Sequence, residues 1–360
     1  MDFREFRRIL AIGVPLCFFP LATNAVQEIP SIEAIHDLVE AREAALTYSI
    51  SAKYSVRVKR LPGKNEWLRY CVDNHSITAP SGPYLEDNAM EFASDCRLEL
   101  NGAMLKLALV DPRDPGHEED YQTDGSLSWL YVPEKKGATL RVKAISPKTF
   151  GEERPWLPAY LTTFPSSMVA ASSNGPTLSA LLSPAAGNKI HMEVADGGDL
   201  ILEVRSPIAK TDAGDHDLVR KITLGRNVGY VPTRYIAYIQ VGSNSFPPDV
   251  DARYEDFVRD GAIQTPRRIV IRSSRGERVH GKAGDPLKPS DFKTFQIEEL
   301  TAVIDELKIA PILDVGSFAF KVPPGTKVFD MYSGQQYTTK NPADSVEKLG
   351  EEAAKLKKPQ

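Results

Sequence analysis

The residues able to do chemistry are few and scattered. Ser290-Asp-Phe-Lys293 sets a hydroxyl one helical turn from an amine, a pairing that serves as nucleophile and base only in a dry site. Its companion signals, Ser-Asp-Asn and Lys-Thr-Gly, are missing, and a loop ahead of a strand explains it. There is no Gly-x-Ser-x-Gly elbow, no His-Glu-x-x-His helix and no phosphate loop. The six histidines are dispersed. His36 falls in a helical segment, His191 shares a strand face with Glu193, and His216 lies within Asp212-Ala-Gly-Asp-His-Asp217. None has the repeated spacing of a metal site. The acidic run Asp111-Pro-Arg-Asp-Pro-Gly-His-Glu-Glu-Asp120 reads as a loop that attracts calcium weakly at most. The expectation is a chain with no catalytic set, no metal and no cofactor.

Aromatic side chains say more. Tyr48, Tyr54 and Val56 fall on the apolar side of one alternating segment, and Trp129 and Tyr131 on one side of another. Trp156, Leu161 and Phe164 cluster in a stretch that interrupts the strand pattern. Together these eight are candidates to line a pocket for an apolar ligand. A plain hydrophobic core explains each of them singly.

The elements that must position them are mostly strands. From Tyr48 to Lys59, apolar and polar residues alternate, the signature of a strand with one dry and one wet face. Such one-sided strands belong to antiparallel sheets. Trp67–Val72 is a candidate strand. Cys96–Leu100 and Ala103–Val110 flank Asn101-Gly102, a strong hairpin signal. Leu127–Val132 pairs with Thr139–Ala144 through Pro133–Gly137, and Ile190–Val194 with Leu200–Val204 around Asp196-Gly-Gly198. Leu218–Leu224, Tyr235–Val241, Tyr254–Arg259, Arg267–Arg272 and Phe292–Leu300 continue the series. Helices are rare. Ser31 can cap one over residues 32–46, with Ile32, Ile35, Leu38, Val39 and Leu46 on one face. Thr177–Leu182 reads as another, inside the Pro-, Ser- and Ala-rich interval 145–189. That interval is a packed helical insertion or a movable cover.

Composition excludes several classes. The 360 residues are 42% hydrophobic and 26% charged, ordinary for a globular chain. A net charge of −4 argues against a general nucleic-acid grip. Residues 1–25 have a basic start (Arg4, Arg7, Arg8), an apolar stretch from Ile9 to Ala22 and small residues at Thr23 and Ala25, the layout of a secretory signal. Cys17 sits within it as a passenger. No second apolar run long enough to span a bilayer follows, so the expected mature chain is exported, to periplasm or medium, without an integral span. Cys71 and Cys96 then form an even pair in an oxidising compartment, which favours a disulfide. Closing that loop would stabilise by roughly 3–4 kcal/mol. Residues 26–340 read as one β domain with a helical insertion near 150–185, and 341–360 as a charged tail.

The order of these pieces resembles a known family. A helix containing Ala41-Arg-Glu-Ala-Ala-Leu46 precedes a long alternating strand, then Cys96-Arg-Leu-Glu-Leu-Asn-Gly-Ala-Met-Leu-Lys106 and Tyr121-Gln-Thr-Asp-Gly-Ser-Leu127. Tyr254-Glu-Asp-Phe257, Thr265-Pro-Arg267 and Val322-Pro-Pro-Gly-Thr-Lys-Val-Phe-Asp330 look like pieces of longer secreted relatives. The pattern resembles the periplasmic lipoprotein-carrier superfamily, the outer-membrane lipoprotein-sorting (LolA/LolB-like) proteins. The resemblance implies a mainly β fold: a large curved antiparallel sheet, an incomplete barrel, with helices over its concave face. It also implies binding of an acyl chain or other apolar molecule there, as in lipoprotein or lipid trafficking. Two alternatives stand beside that: an envelope scaffold with a filled core and a protein partner, and a secreted hydrolase with a dispersed carboxylate pair.

Overall fold

The computed structural model describes residues 29–73, 91–102, 104–111, 114–123, 128–134, 137–143, 176–211, 214–261, 263–280, 288–313, 318, 324–330 and 336–338. Ile32–Gln360 is one compact unit. The expected signal (1–25), the charged tail and the interval from 144 to 175 lie outside the described residues.

Among the described residues three α-helices accompany sixteen strands. They are α1 (Ile32–Tyr48), α2 (Pro62–Asp73) and α3 (Leu178–Leu182). The first eight strands are β1 (Ser49–Arg60), β2 (Glu91–Asn101), β3 (Met104–Asp111), β4 (Asp114–Thr123), β5 (Ser128–Glu134), β6 (Gly137–Lys143), β7 (Lys189–Val194) and β8 (Leu200–Thr211). The others are β9 (Gly214–Gly225), β10 (Val231–Val241), β11 (Asn244–Ser245), β12 (Val250–Asp260), β13 (Ile263–Arg278), β14 (Phe292–Ile309), β15 (Lys327–Asp330) and β16 (Gln336–Thr338).

All strands join one sheet, in the order β16-β15-β6-β5-β4-β3-β2-β1-β14-β13-β12-β10-β9-β8-β7, with β11 hydrogen-bonded to β10. Every pairing is antiparallel except β15 with β6. Among the described residues the order has two ends and does not close into a barrel. The mainly β, antiparallel fold expected from the sequence is the one observed.

β1 is the seam. One edge pairs with β2 and the other with β14, so Tyr54 stands between Cys96 and Ile304. The register slips at Lys53/Tyr54 against β14 and at Ser273/Ser274 between β13 and β14. In β12, Asp256 sits at φ 56° between the Glu255–Arg268 and Phe257–Pro266 pairs without any change of register. Bulges bend a strand and increase its twist.

Local chemistry explains the turns. Gly102 follows Asn101 at φ +58° and donates its N–H to Tyr48 O at 2.7 Å, tying the β2–β3 turn to the end of α1. Cross-strand ion pairs decorate the outer face: Lys53–Glu306 at 2.8 Å, Arg268–Glu255 at 3.1 Å, Arg234–Asp251 at 3.0 Å and Arg97–Glu118. Exposed pairs of this kind set register more than they stabilise.

Three expectations need correction. Trp67–Val72 is not a strand but the middle of α2. Pro62 opens that helix, where its missing N–H costs nothing. Trp67, Tyr70 and Cys71 then recur at helical spacing. Trp67 Nε1 donates to Glu277 at 2.7 Å and Tyr70 Oη to Arg278 O at 2.5 Å, while Tyr70 packs on Phe295. The acidic "loop" is mostly strand: Asp114–Thr123 is β4, drawn into pairing by β3. The disulfide is absent: Cys71 and Cys96 are both free and buried. Cys71 Sγ lies 3.9 Å from Glu277 Oε1, whereas Cys96 Sγ contacts Ser94 O on β2 at 3.8 Å. An even count in the chain says nothing about spatial approach, and a bridge needs Cα atoms within about 7 Å.

Candidate functional site

One face of the sheet is apolar along most of its width. Ile50, Ala52, Tyr54 and Val56 of β1 are buried on it. Leu98 and Leu100 of β2, Leu105 and Leu107 of β3, Leu202 and Val204 of β8, Ile222 and Leu224 of β9, and Ile269 and Ile271 of β13 join the same cluster. Strand alternation places these side chains on one side and the charges on the other.

Among the described residues two helices cover this face. α1 contributes Ile35, Val39 and Leu46, and α3 contributes Leu178, Leu181 and Leu182. The spacing of the α1 residues is that of a single helical stripe. Leu38, expected on that stripe, is 42% exposed.

α3 is too short to stand alone, and polar bonds hold it at both ends. At its start, Glu43 of α1 accepts from Leu178 N at 2.9 Å, Ser179 N at 3.3 Å and the Ser179 hydroxyl. Thr177 Oγ1 accepts from Ala180 N. At its end, Asn188 Nδ2 donates to Leu181 O at 3.0 Å. Asn188 Oδ1 in turn accepts from Ser206 Oγ at 2.7 Å, and Ser206 Oγ accepts from Arg220 Nη1 at 2.8 Å.

That track continues beneath the cover. Arg220 also hydrogen-bonds Tyr235. Burial, with Tyr235 beside it, pushes the Tyr254 hydroxyl far up. Tyr254 neighbours Arg42 of α1, which falls on the same inward stripe as Ile35, Val39 and Leu46. Burial lowers the Arg42 guanidinium to about 10. A line of polar groups thus crosses an otherwise hydrocarbon interior.

The sequence candidates fare unevenly. Tyr54 and Val56 are buried in the covered face. Tyr48 is the last residue of α1, not part of β1, and is 50% exposed. Tyr131 stands opposite Asp120, while its neighbour Leu130 stands opposite buried Tyr121 and packs on the core. Tyr131 therefore occupies the other face. Trp129 pairs with Gln122 in β5. Trp156, Leu161 and Phe164 lie outside the described residues.

Arg42 and Glu43 were missed, although their inward register was available from Ile35, Val39 and Leu46. Ser290 is exposed in a short turn, and Lys293 is exposed and paired with Glu66 at 3.4 Å, so Ser-x-x-Lys is not a dry pair. His191 and Glu193 are both exposed on β7. His36, Asp37 and Glu40 bring ligand atoms within 4.8 Å of one another on the outer side of α1. A cavity of about 230 Å³ is lined by His216, Ile239, Val241, Phe246, Asp249 and Phe292, beside the start of β12.

No family model matches the chain, and no curated protein does. Among solved structures it is similar to a LolA superfamily protein from Nitrosomonas europaea (11% identity, 77% of this chain and 94% of that one, TM-score 0.36). It is also similar to an outer membrane lipoprotein-sorting protein domain from Vibrio parahaemolyticus (12%, 80% and 97%, 0.39). A third is a DUF1329 family protein from Desulfovibrio piger (9%, 80% and 96%, 0.34). Scores this low say nothing of ligand or partner. Among the described residues no helix is long and apolar enough to cross a membrane.

Proposed function

We propose that this is a non-enzymatic carrier or sensor of the cell envelope, exported by its N-terminal segment, that binds an acyl chain or similar apolar ligand under α1 and α3. One observation carries the reading: a broad apolar sheet face is closed by a five-residue helix whose ends are fixed by exchangeable hydrogen bonds. A hydrocarbon chain gains about 0.8 kcal/mol for each CH₂ removed from water, so such a face needs no further chemistry to hold one. Lipoprotein acyl chains and free lipids are both within this class.

Native mass spectrometry after gentle purification, followed by titration with a fluorescent acyl probe, tests it. The expected result is added mass that the probe displaces. A protein that is empty and ignores the probe rejects the proposal.

A second reading is supported by the close packing of the same face, whose side chains are almost wholly buried. There the chain is an envelope scaffold, and a sheet edge such as β7, with Val194 exposed, adds a partner's strand. Recovery of one stoichiometric protein partner, together with no acyl binding, favours it.

A further inference from the structure

Arg42 poses an accounting problem. It is 9% exposed, yet its Nε is buried with no hydrogen-bond partner. Its guanidinium forms no ion pair among the described residues. An arginine carries five N–H donors and stays charged, so a buried Nε–H without an acceptor is unfavourable. Natural interiors rarely leave such a group without an acceptor.

Glu43 is the neighbouring charge that attracts it, but no neighbour supplies an acceptor to its Nε–H. Glu43, the nearest carboxylate in sequence, is engaged by the start of α3. Tyr254 offers one hydroxyl, which burial keeps protonated. The second buried cation, Arg220, already has Ser206 and Tyr235. The covered face therefore holds, on the inward stripe of α1 and beside hydrocarbon, a buried guanidinium whose Nε–H has no acceptor.

We infer that Arg42 is the docking point for the anionic head of an amphiphile whose hydrocarbon tail lies along the covered face. This rests on the carrier reading and names its ligand class: a carboxylate- or phosphate-headed chain rather than a neutral one. Both heads match the planar fork of a guanidinium.

The test titrates the full chain with palmitate, hexadecyl phosphate and hexadecanol, which share a tail and differ in head. Wild type is expected to hold at least one of the anionic chains tenfold or more tighter than hexadecanol. The stronger of the two identifies the head. Arg42→Gln is expected to bring the anionic chain within about twofold of hexadecanol and to leave hexadecanol binding as it was. Arg57→Gln, on the exposed face of β1, keeps the wild-type ratio. Equal affinity for all three heads in wild type overturns the inference and leaves the carrier reading standing. So does an undiminished preference in Arg42→Gln. Failure of all three probes to bind overturns both. Should Arg42→Gln not fold, the wild-type comparison decides alone.

Discussion

Removing the Glu43 carboxylate should release α3 without unfolding the sheet. Glu43 accepts from two backbone N–H groups and one hydroxyl at the start of that helix. Leu178, which supplies one of them, is 2% exposed, so its N–H finds no water in place of the lost acceptor. Each orphaned buried donor costs about 1–3 kcal/mol. Taking the lower part of that range for the two amides gives about 3 kcal/mol for Glu43→Ala, or roughly a hundredfold larger opened population. Glu43→Gln keeps one oxygen acceptor and should cost less than half as much. Native-state hydrogen exchange reads this directly. Leu181 N donates to Thr177 O at 3.1 Å and Ser183 N to Ser179 O at 2.9 Å, so these amides report α3. Ile222 and Leu224, in the middle of the sheet, report global unfolding. Protection at Leu181 and Ser183 should drop about a hundredfold in Glu43→Ala, with Ile222 and Leu224 nearly unchanged. Equal loss at all four sites would show that α3 is welded into the global core. No loss at any would show that the leucines alone fix it.

Further tests follow from other parts of the fold. Denatured but unreduced protein should titrate both Cys71 and Cys96 as free thiols; a blocked pair would contradict the structure. Burial raises the Cys96 thiol from 9.0 to about 11. The unfolded chain therefore ionises first, and stability present below pH 9 falls by about 2 kcal/mol as pH rises to 11. Urea titrations at both ends should show that loss in wild type and not in Cys96→Ala; identical pH slopes would refute the assignment. A Cβ at Gly63 would sit 2.3 Å from Gln296 O, so Gly63→Ala should push α2 off β14 and cost about 1–3 kcal/mol. An unchanged thermal midpoint, with unchanged Trp67 fluorescence, would exclude that contact.

How much of this was legible depended on the kind of signal. Alternation exposed β1 because its outer residues meet water and its inner residues meet helices, so the two faces differ sharply in polarity. Asn101-Gly102 located its hairpin because an αL turn needs such residues. The strand β4 was illegible. Asp114-Pro-Gly-His-Glu-Glu-Asp120 has poor β propensity, and only pairing with β3 makes it extended. α2 was misread because Trp, Leu, Tyr and Val are common in strands, while the helical spacing of Trp67, Tyr70 and Cys71 was the better guide. Of the site, the apolar floor was visible through Tyr54 and Val56, but the polar track was not. Its members come from α1, the residue before β7, β8, β9, β10 and β12, and only the topology assembles them.

A filled interior and a carrier need not be rival states, and magnitudes say which piece of the cover can yield. The three leucines of α3 are worth about 1.5–3 kcal/mol each when buried, so roughly 5–9 kcal/mol together. An acyl chain of about twelve methylenes gains roughly 10 kcal/mol on entering the same space. That suffices to replace α3, once its terminal hydrogen bonds are exchanged for water. It does not suffice to replace α1 as well, whose inward stripe adds Ile35, Val39 and Leu46 and whose end runs directly into β1. On the carrier reading proposed above, the two helices would take different roles: α1 would stay as the fixed wall that presents Arg42, and α3 would be the stopper that a sufficiently long chain displaces. Ligands shorter than about eight methylenes fall below that threshold, and binding should rise steeply with chain length above it.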